Sequence, residues 1–92
     1  MQTRYEKIKS DCIDILEYYY VTTESEFPRP TGERIDVVGY SPGKNEPDIG
    51  IEVELTSNLS KDAPKLLNMK SLQLRIIVTE NCDALSIPQN SL

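Results

Sequence analysis

The segment Ile49-Gly-Ile-Glu-Val-Glu-Leu55 restricts the choice of fold more than any other stretch of the chain. Ile49, Ile51, Val53 and Leu55 recur every second residue, the period of a half-buried strand. The same alternation sets Glu52 and Glu54 side by side on the opposite face. Like charges that close repel each other. Such a strand needs water around its carboxylates or a cation between them.

The flanking residues place this strand in a fold. Arg4 to Tyr20 reads as an amphipathic helix, with Tyr5, Ile8, Cys12, Ile15, Leu16 and Tyr19 as its apolar stripe. The aromatic and β-branched run Tyr18 to Thr23 predicts a first strand. Ser25 to Glu33, with Pro28, Pro30 and Gly32, predicts a loop. Arg34 to Tyr40 is a second strand, Ser41 to Asp48 a hairpin loop and Ile49 to Leu55 a third strand. Ser60 caps a second helix that runs to about Ser71, with Pro64 tolerated in or near its first turn. Leu74 to Thr79 forms a fourth, central strand, and Ala84, Leu85 and Ile87 are able to dock from the tail. The helix between the last two strands is long enough for a right-handed parallel crossover. The expected fold class is therefore α/β: a small mixed β-sheet with helices packed on it, in the order α-β-β-β-α-β, as one domain over residues 1–92.

Composition narrows the chemistry. With no histidine, His-based triads, zinc sites and general bases are excluded. Cys12 and Cys82 have no metal-site spacing and are expected as small buried side chains; a disulfide fits only an oxidising compartment or a hyperthermophile. The polar N-terminus and the lack of a long apolar run suggest a cytoplasmic protein without a membrane span, so the Asn58 sequon carries no meaning. The net charge of −5 argues against simple coating of nucleic acid. That charge is uneven. Eight acids and three bases lie between Glu24 and Glu54, whereas Lys61, Lys65, Lys70 and Arg75 follow with only Asp62 among them.

Strand periodicity also predicts where the acids meet. If Ile35, Val37, Ile51, Val53 and Leu55 join one core face, Asp36 falls on the face of Glu52 and Glu54. In a suitable antiparallel register Asp36 lies opposite Glu52, with Cβ atoms about 5 Å apart. Oxygen ligands without His or Cys select Mg²⁺, Mn²⁺ or Ca²⁺. Equally, the acids could fan into solvent or pair with Arg34, Lys61 or Lys65.

Asp36 in one strand, a hairpin, Ile51-Glu52-Val53-Glu54 in the next and a preceding helix bearing Glu6 together resemble the PD-(D/E)xK nuclease superfamily. The resemblance spans roughly residues 4 to 79 and is nearest to archaeal Holliday-junction resolvases and restriction-endonuclease-like proteins. It implies a restriction-endonuclease-like core and metal-dependent DNA cleavage with Mg²⁺ or Mn²⁺ as cofactor. Asp36, Glu52, the Val53 carbonyl and Glu6 would be the metal ligands. Glu54 stands where that family usually has lysine; some of its restriction enzymes carry glutamate there, which keeps Glu54 with Asp36 and Glu52 in the implied catalytic set, and others place the lysine on the following helix, where Lys61 and Lys65 are the candidates. The small size and acidic balance then imply a homodimer or a larger partner, with Lys61, Lys65, Lys70 and Arg75 on DNA phosphates. A catalytically inactive module of the same fold, and an unrelated α/β domain with solvated acids, are the alternatives. The stretch Gly39 to Asn45 is too short and wrongly placed for a P-loop. Tyr18, Tyr19 and Tyr20 suit core packing and rim more than base stacking.

Overall fold

A computed structural model of the chain describes residues 1–56 and 59–79. Helix α1 (Arg4–Tyr18) is followed by strands β1 (Thr22–Pro28), β2 (Arg34–Tyr40) and β3 (Ile49–Glu54), helix α2 (Leu59–Leu67) and strand β4 (Leu74–Thr79). The sheet has the order β1-β2-β3-β4. The first two pairings are antiparallel, and β3 pairs with β4 in parallel across the α2 crossover. The α-β-β-β-α-β order and the mixed sheet are as the sequence indicates. Cys82 and the tail residues Ala84, Leu85 and Ile87 lie outside the described residues, as does Asn58. Among the described residues, no helix is long and apolar enough to cross a membrane.

The core forms as two clusters. Val21, Val37, Ile49 and Ile51 pack with Cys12, Ile13 and Leu16 of α1 and with Ile76 and Val78 of β4. Ile35 and Val38 pack with Leu66 of α2 and with Met69 and Leu72 beyond it. Ile35 and Val37, expected on one face, thus separate into different clusters, so simple alternation breaks down around Asp36. All six residues of β3 are buried, including both glutamates. Strand β3 is not half-solvated, and its two glutamates do not fan into water. Gly50 permits this burial: a Cβ there would come within 2.6 Å of Leu72 and 3.0 Å of Leu66.

Several boundaries differ from the sequence pattern. The run Tyr18 to Thr23 carries the change from helix to strand, but the strand takes only its last two residues: α1 ends at Tyr18 and β1 begins at Thr22. The Val21 N–H bonds the Leu16 carbonyl and the Tyr20 N–H bonds that of Glu17, both at 3.0 Å. Those two bonds define a Schellman stop, with Tyr20 at a φ of 64° where glycine is usual. Strand β1 consequently begins later and runs through Pro28, which the unpaired side of an edge strand tolerates. Strand β4 is not central; it pairs only with β3 among the described residues. Ile15 and Tyr19 are exposed, and Ile13 packs in their place. Pro64 is the sixth residue of α2, past the first turn.

Two substitutions test these constraints in urea unfolding. Tyr20 is 86% exposed, so Tyr20→Gly should relieve left-handed strain with little loss of packing and stabilise by about 1 kcal/mol. Gly50→Ala should destabilise by about 1–3 kcal/mol because both facing leucines are buried.

Candidate functional site

Asp36 is the hinge of the site. The β2–β3 ladder runs from Gly39↔Ile49 to Val37↔Ile51, and its continuation would pair Asp36 with Glu52. At that point the carboxylate takes over from the backbone, and Asp36 Oδ2 accepts the N–H of Val53 at 2.7 Å. The Asp36 and Glu52 side chains come within hydrogen-bonding reach of each other. The carboxylates of adjacent strands therefore converge, although the single apolar face from which the sequence pattern placed them is not formed.

Glu52 is 1% exposed. Helix α2 supplies its counter-charge: Lys65 Nζ lies 2.6 Å from Glu52 Oε1 and donates to the Arg34 carbonyl at 3.1 Å. The contact with Glu52 Oε1 has charge proximity without hydrogen-bond geometry, so that buried oxygen keeps an unfilled hydrogen-bonding capacity. Glu54 accepts both the N–H and the hydroxyl of Thr56, and on its other side meets Asp62 of α2. Asp62 is 4% exposed, and its Oδ2 has no hydrogen-bond partner. Three buried carboxyl groups, Glu52, Asp36 and Asp62, thus act on one half-buried ammonium, and a fourth, Glu54, adjoins Asp62.

The electrostatic consequence is a site short of positive charge. Burial first, then the adjoining Asp36 carboxylate, pushes the Glu52 carboxyl up to about 8 despite Lys65. Burial and the hydrogen bond with Glu54 push Asp62 up to about 7. Burial alone would lower the Lys65 ammonium, but Glu52 and Asp36 outweigh it and hold it above its ordinary value.

The remaining sequence candidates fall in different places. Glu6 is exposed and forms a capping box with Thr3, whose hydroxyl accepts the Glu6 N–H at 3.1 Å and donates to its carboxylate at 3.0 Å. Tyr5, one residue earlier, reaches the cluster instead; its hydroxyl donates to Asp36 Oδ1 at 2.5 Å. Lys61 and Lys70 are exposed. Arg75 donates to the Leu66 and Met69 carbonyls at 2.8 and 3.1 Å, capping the end of α2. Of the four cations expected on phosphate, one is turned into the site and one onto a helix end.

Two site residues were not singled out from sequence. Asp62 shares spacing i, i+4 and i+7 with Leu66 and Met69, a sign that it lies on the buried face of α2. Tyr5 sat on the apolar stripe of α1, where its hydroxyl was the clue to a polar partner.

Asp36 and Glu52 bring carboxyl oxygens together beside the Val53 peptide, with Lys65 Nζ 2.6 Å from Glu52 Oε1. Among the described residues, no three Asp, Glu or Cys side chains are set to ligate one ion by themselves, so backbone oxygen or water would complete the shell. No protein-family model, curated protein or solved structure matches this chain.

The raised carboxyl values set the pH dependence of stability. Relative to ordinary values of 4.5 and 3.8 for Glu52 and Asp62, the folded state holds extra protons as pH rises toward 7 and 8. This stabilisation is complete below the unfolded values and is lost as pH rises through the folded ones. In metal-free buffer Tm should therefore fall between about pH 5 and pH 8.5. Glu52→Gln and Asp62→Asn should each flatten the decline; a Tm that rises over this range contradicts the assignment.

Proposed function

We propose that this chain is a metal-dependent DNA endonuclease, or a nuclease-like DNA-processing subunit, with a restriction-endonuclease-like core of the PD-(D/E)xK type. One observation carries the reading. Lys65 crosses from α2 to within 2.6 Å of Glu52, beside Asp36, and so provides an ammonium where Glu54 has replaced the usual lysine.

In this reading Asp36, Glu52 and the Val53 carbonyl hold Mg²⁺ or Mn²⁺. The bound ion would activate water and stabilise charge on the phosphate. Lys65 then serves two states: it offsets Glu52 when no ion is present, and it turns toward the phosphate when Glu52 is otherwise neutralised. Glu54 is bonded to Thr56 and Asp62, which leaves it as a support for α2 rather than a direct substitute for lysine. Lys61 and Lys70 remain as outward cations for DNA phosphate. Two such groups on an acidic chain are few, so a homodimer or larger protein partner completes the DNA contact.

A second reading is an inactive binding or assembly module of the same fold. It is favoured by the internal satisfaction of Asp36, both of whose oxygens already accept hydrogen bonds.

The two readings separate in a combined binding and cleavage assay on plasmid and branched DNA. Under both, Mn²⁺ at about 100 times its Kd should stabilise the fold by about 2.7 kcal/mol, and Asp36→Asn should remove that gain. Under the first, DNA is cut, and Lys65→Met lowers the rate by about 100-fold or more while Mn²⁺ still binds. Metal binding without cleavage leaves the inactive module. No effect of metal on Tm sinks both.

A further inference from the structure

Resting on the metal reading above, we propose that Tyr5 is a positioning residue that fixes the orientation of the Asp36 carboxylate and thereby selects a small six-coordinate cation over Ca²⁺.

Asp36 is gripped from two sides. Val53 N–H holds Oδ2 at 2.7 Å, and the Tyr5 hydroxyl holds Oδ1 at 2.5 Å. One donor belongs to β3 and the other to α1, so the carboxylate plane is fixed between two separate elements of the fold. Tyr5 is itself braced. Lys9, one helical turn on, lies 5.4 Å from the centre of its ring and pairs with Glu26 of β1 at 3.2 Å. Glu26 adopts a φ of 53° in mid-strand, a conformation that a non-glycine residue keeps only where its surroundings enforce it. A phenol is an uncharged donor to the carboxylate.

A phenol at this position acts differently from the carboxylate expected at Glu6. A third carboxylate would add a ligand and another negative charge. The hydroxyl adds neither; it orients a ligand already present and occupies one lone pair of Oδ1. Mg²⁺ and Mn²⁺ require near-octahedral ligands in set positions, whereas Ca²⁺ takes more oxygens and uses carboxylates that turn between one-atom and two-atom binding. An Asp36 held at both oxygens meets the first demand and resists the second.

The test is direct metal binding to the full chain, with Mn²⁺ followed by electron paramagnetic resonance and Ca²⁺ as competitor. The wild-type chain should bind Mn²⁺ in preference to Ca²⁺. Tyr5→Phe should weaken Mn²⁺ by about 10-fold and shift the Ca²⁺-to-Mn²⁺ ratio toward Ca²⁺. Lys7→Gln controls for a general effect of α1: it removes the exposed Lys7–Asp11 pair of the same helix, touches neither Tyr5 nor Asp36, and should leave the ratio in place. An unchanged ratio in Tyr5→Phe, with Mn²⁺ binding still abolished by Asp36→Asn, overturns the role of Tyr5 and spares the metal site. Mn²⁺ binding that ignores Asp36→Asn removes the metal reading itself. Equal or reversed preference in the wild-type chain overturns the inference whether or not Tyr5→Phe folds.

Discussion

A carboxylate buried as deeply as Glu52 is tolerable only because the ammonium of Lys65 lies 2.6 Å away. An isolated charge in the protein interior would cost several kcal/mol, and an ion pair recovers that cost only with good geometry around it. The position of α2 follows from this. Leu66, Met69 and Leu72 dock the helix and the turn after it against Val38 and Ile35, and Gly50 leaves room for their approach. The docked helix delivers Lys65 to Glu52 and Asp62 to Glu54. Apolar packing and the polar cluster are thus one structure: the first determines whether the second is satisfied.

Lys65 does not neutralise the cluster. Asp36, Glu52, Glu54 and Asp62 are all buried, and they answer the excess by taking up protons or sharing hydrogen bonds. Helix α1 contributes from the opposite face through a neutral hydroxyl, which adds order to the cluster without adding charge. The same geometry explains why the site tolerates a glutamate at position 54. Thr56 and Asp62 absorb that side chain, and the cation comes from elsewhere in the fold.

Element by element, the legible features were those set by local period and turn chemistry. The hairpin between Tyr40 and Ile49 and the span Leu74–Thr79 followed from apolar alternation bounded by Pro, Gly and Asp. The nearness of Asp36 and Glu52 was legible from the hairpin, whose pairing of Val37 with Ile51 makes them the next two residues along; the burial of both faces of β3 was not. The misread elements are those in which a long-range or cap interaction overrode local preference. Tyr18 to Val21 has strand composition, yet helix carbonyls capture the amides of Tyr20 and Val21, and β1 starts only at Thr22. Pro28 reads as a loop residue, yet an edge strand accommodates it.

What the sequence alone determined is the order of elements and the pair of acids on adjacent strands, since both depend on spacings of a few residues along one chain segment. Which groups complete the site was decided only by tertiary structure. Tyr5 is 31 residues from Asp36, and Lys65 is 13 residues from Glu52. Lys61 and Lys65 are close in sequence and identical in chemistry, and only the packing of Leu66 and Met69 rotates one inward and leaves the other in water. That rotation comes from the fit of a helix against a sheet, and helix periodicity by itself does not say how far each side chain stands from its neighbour across the core.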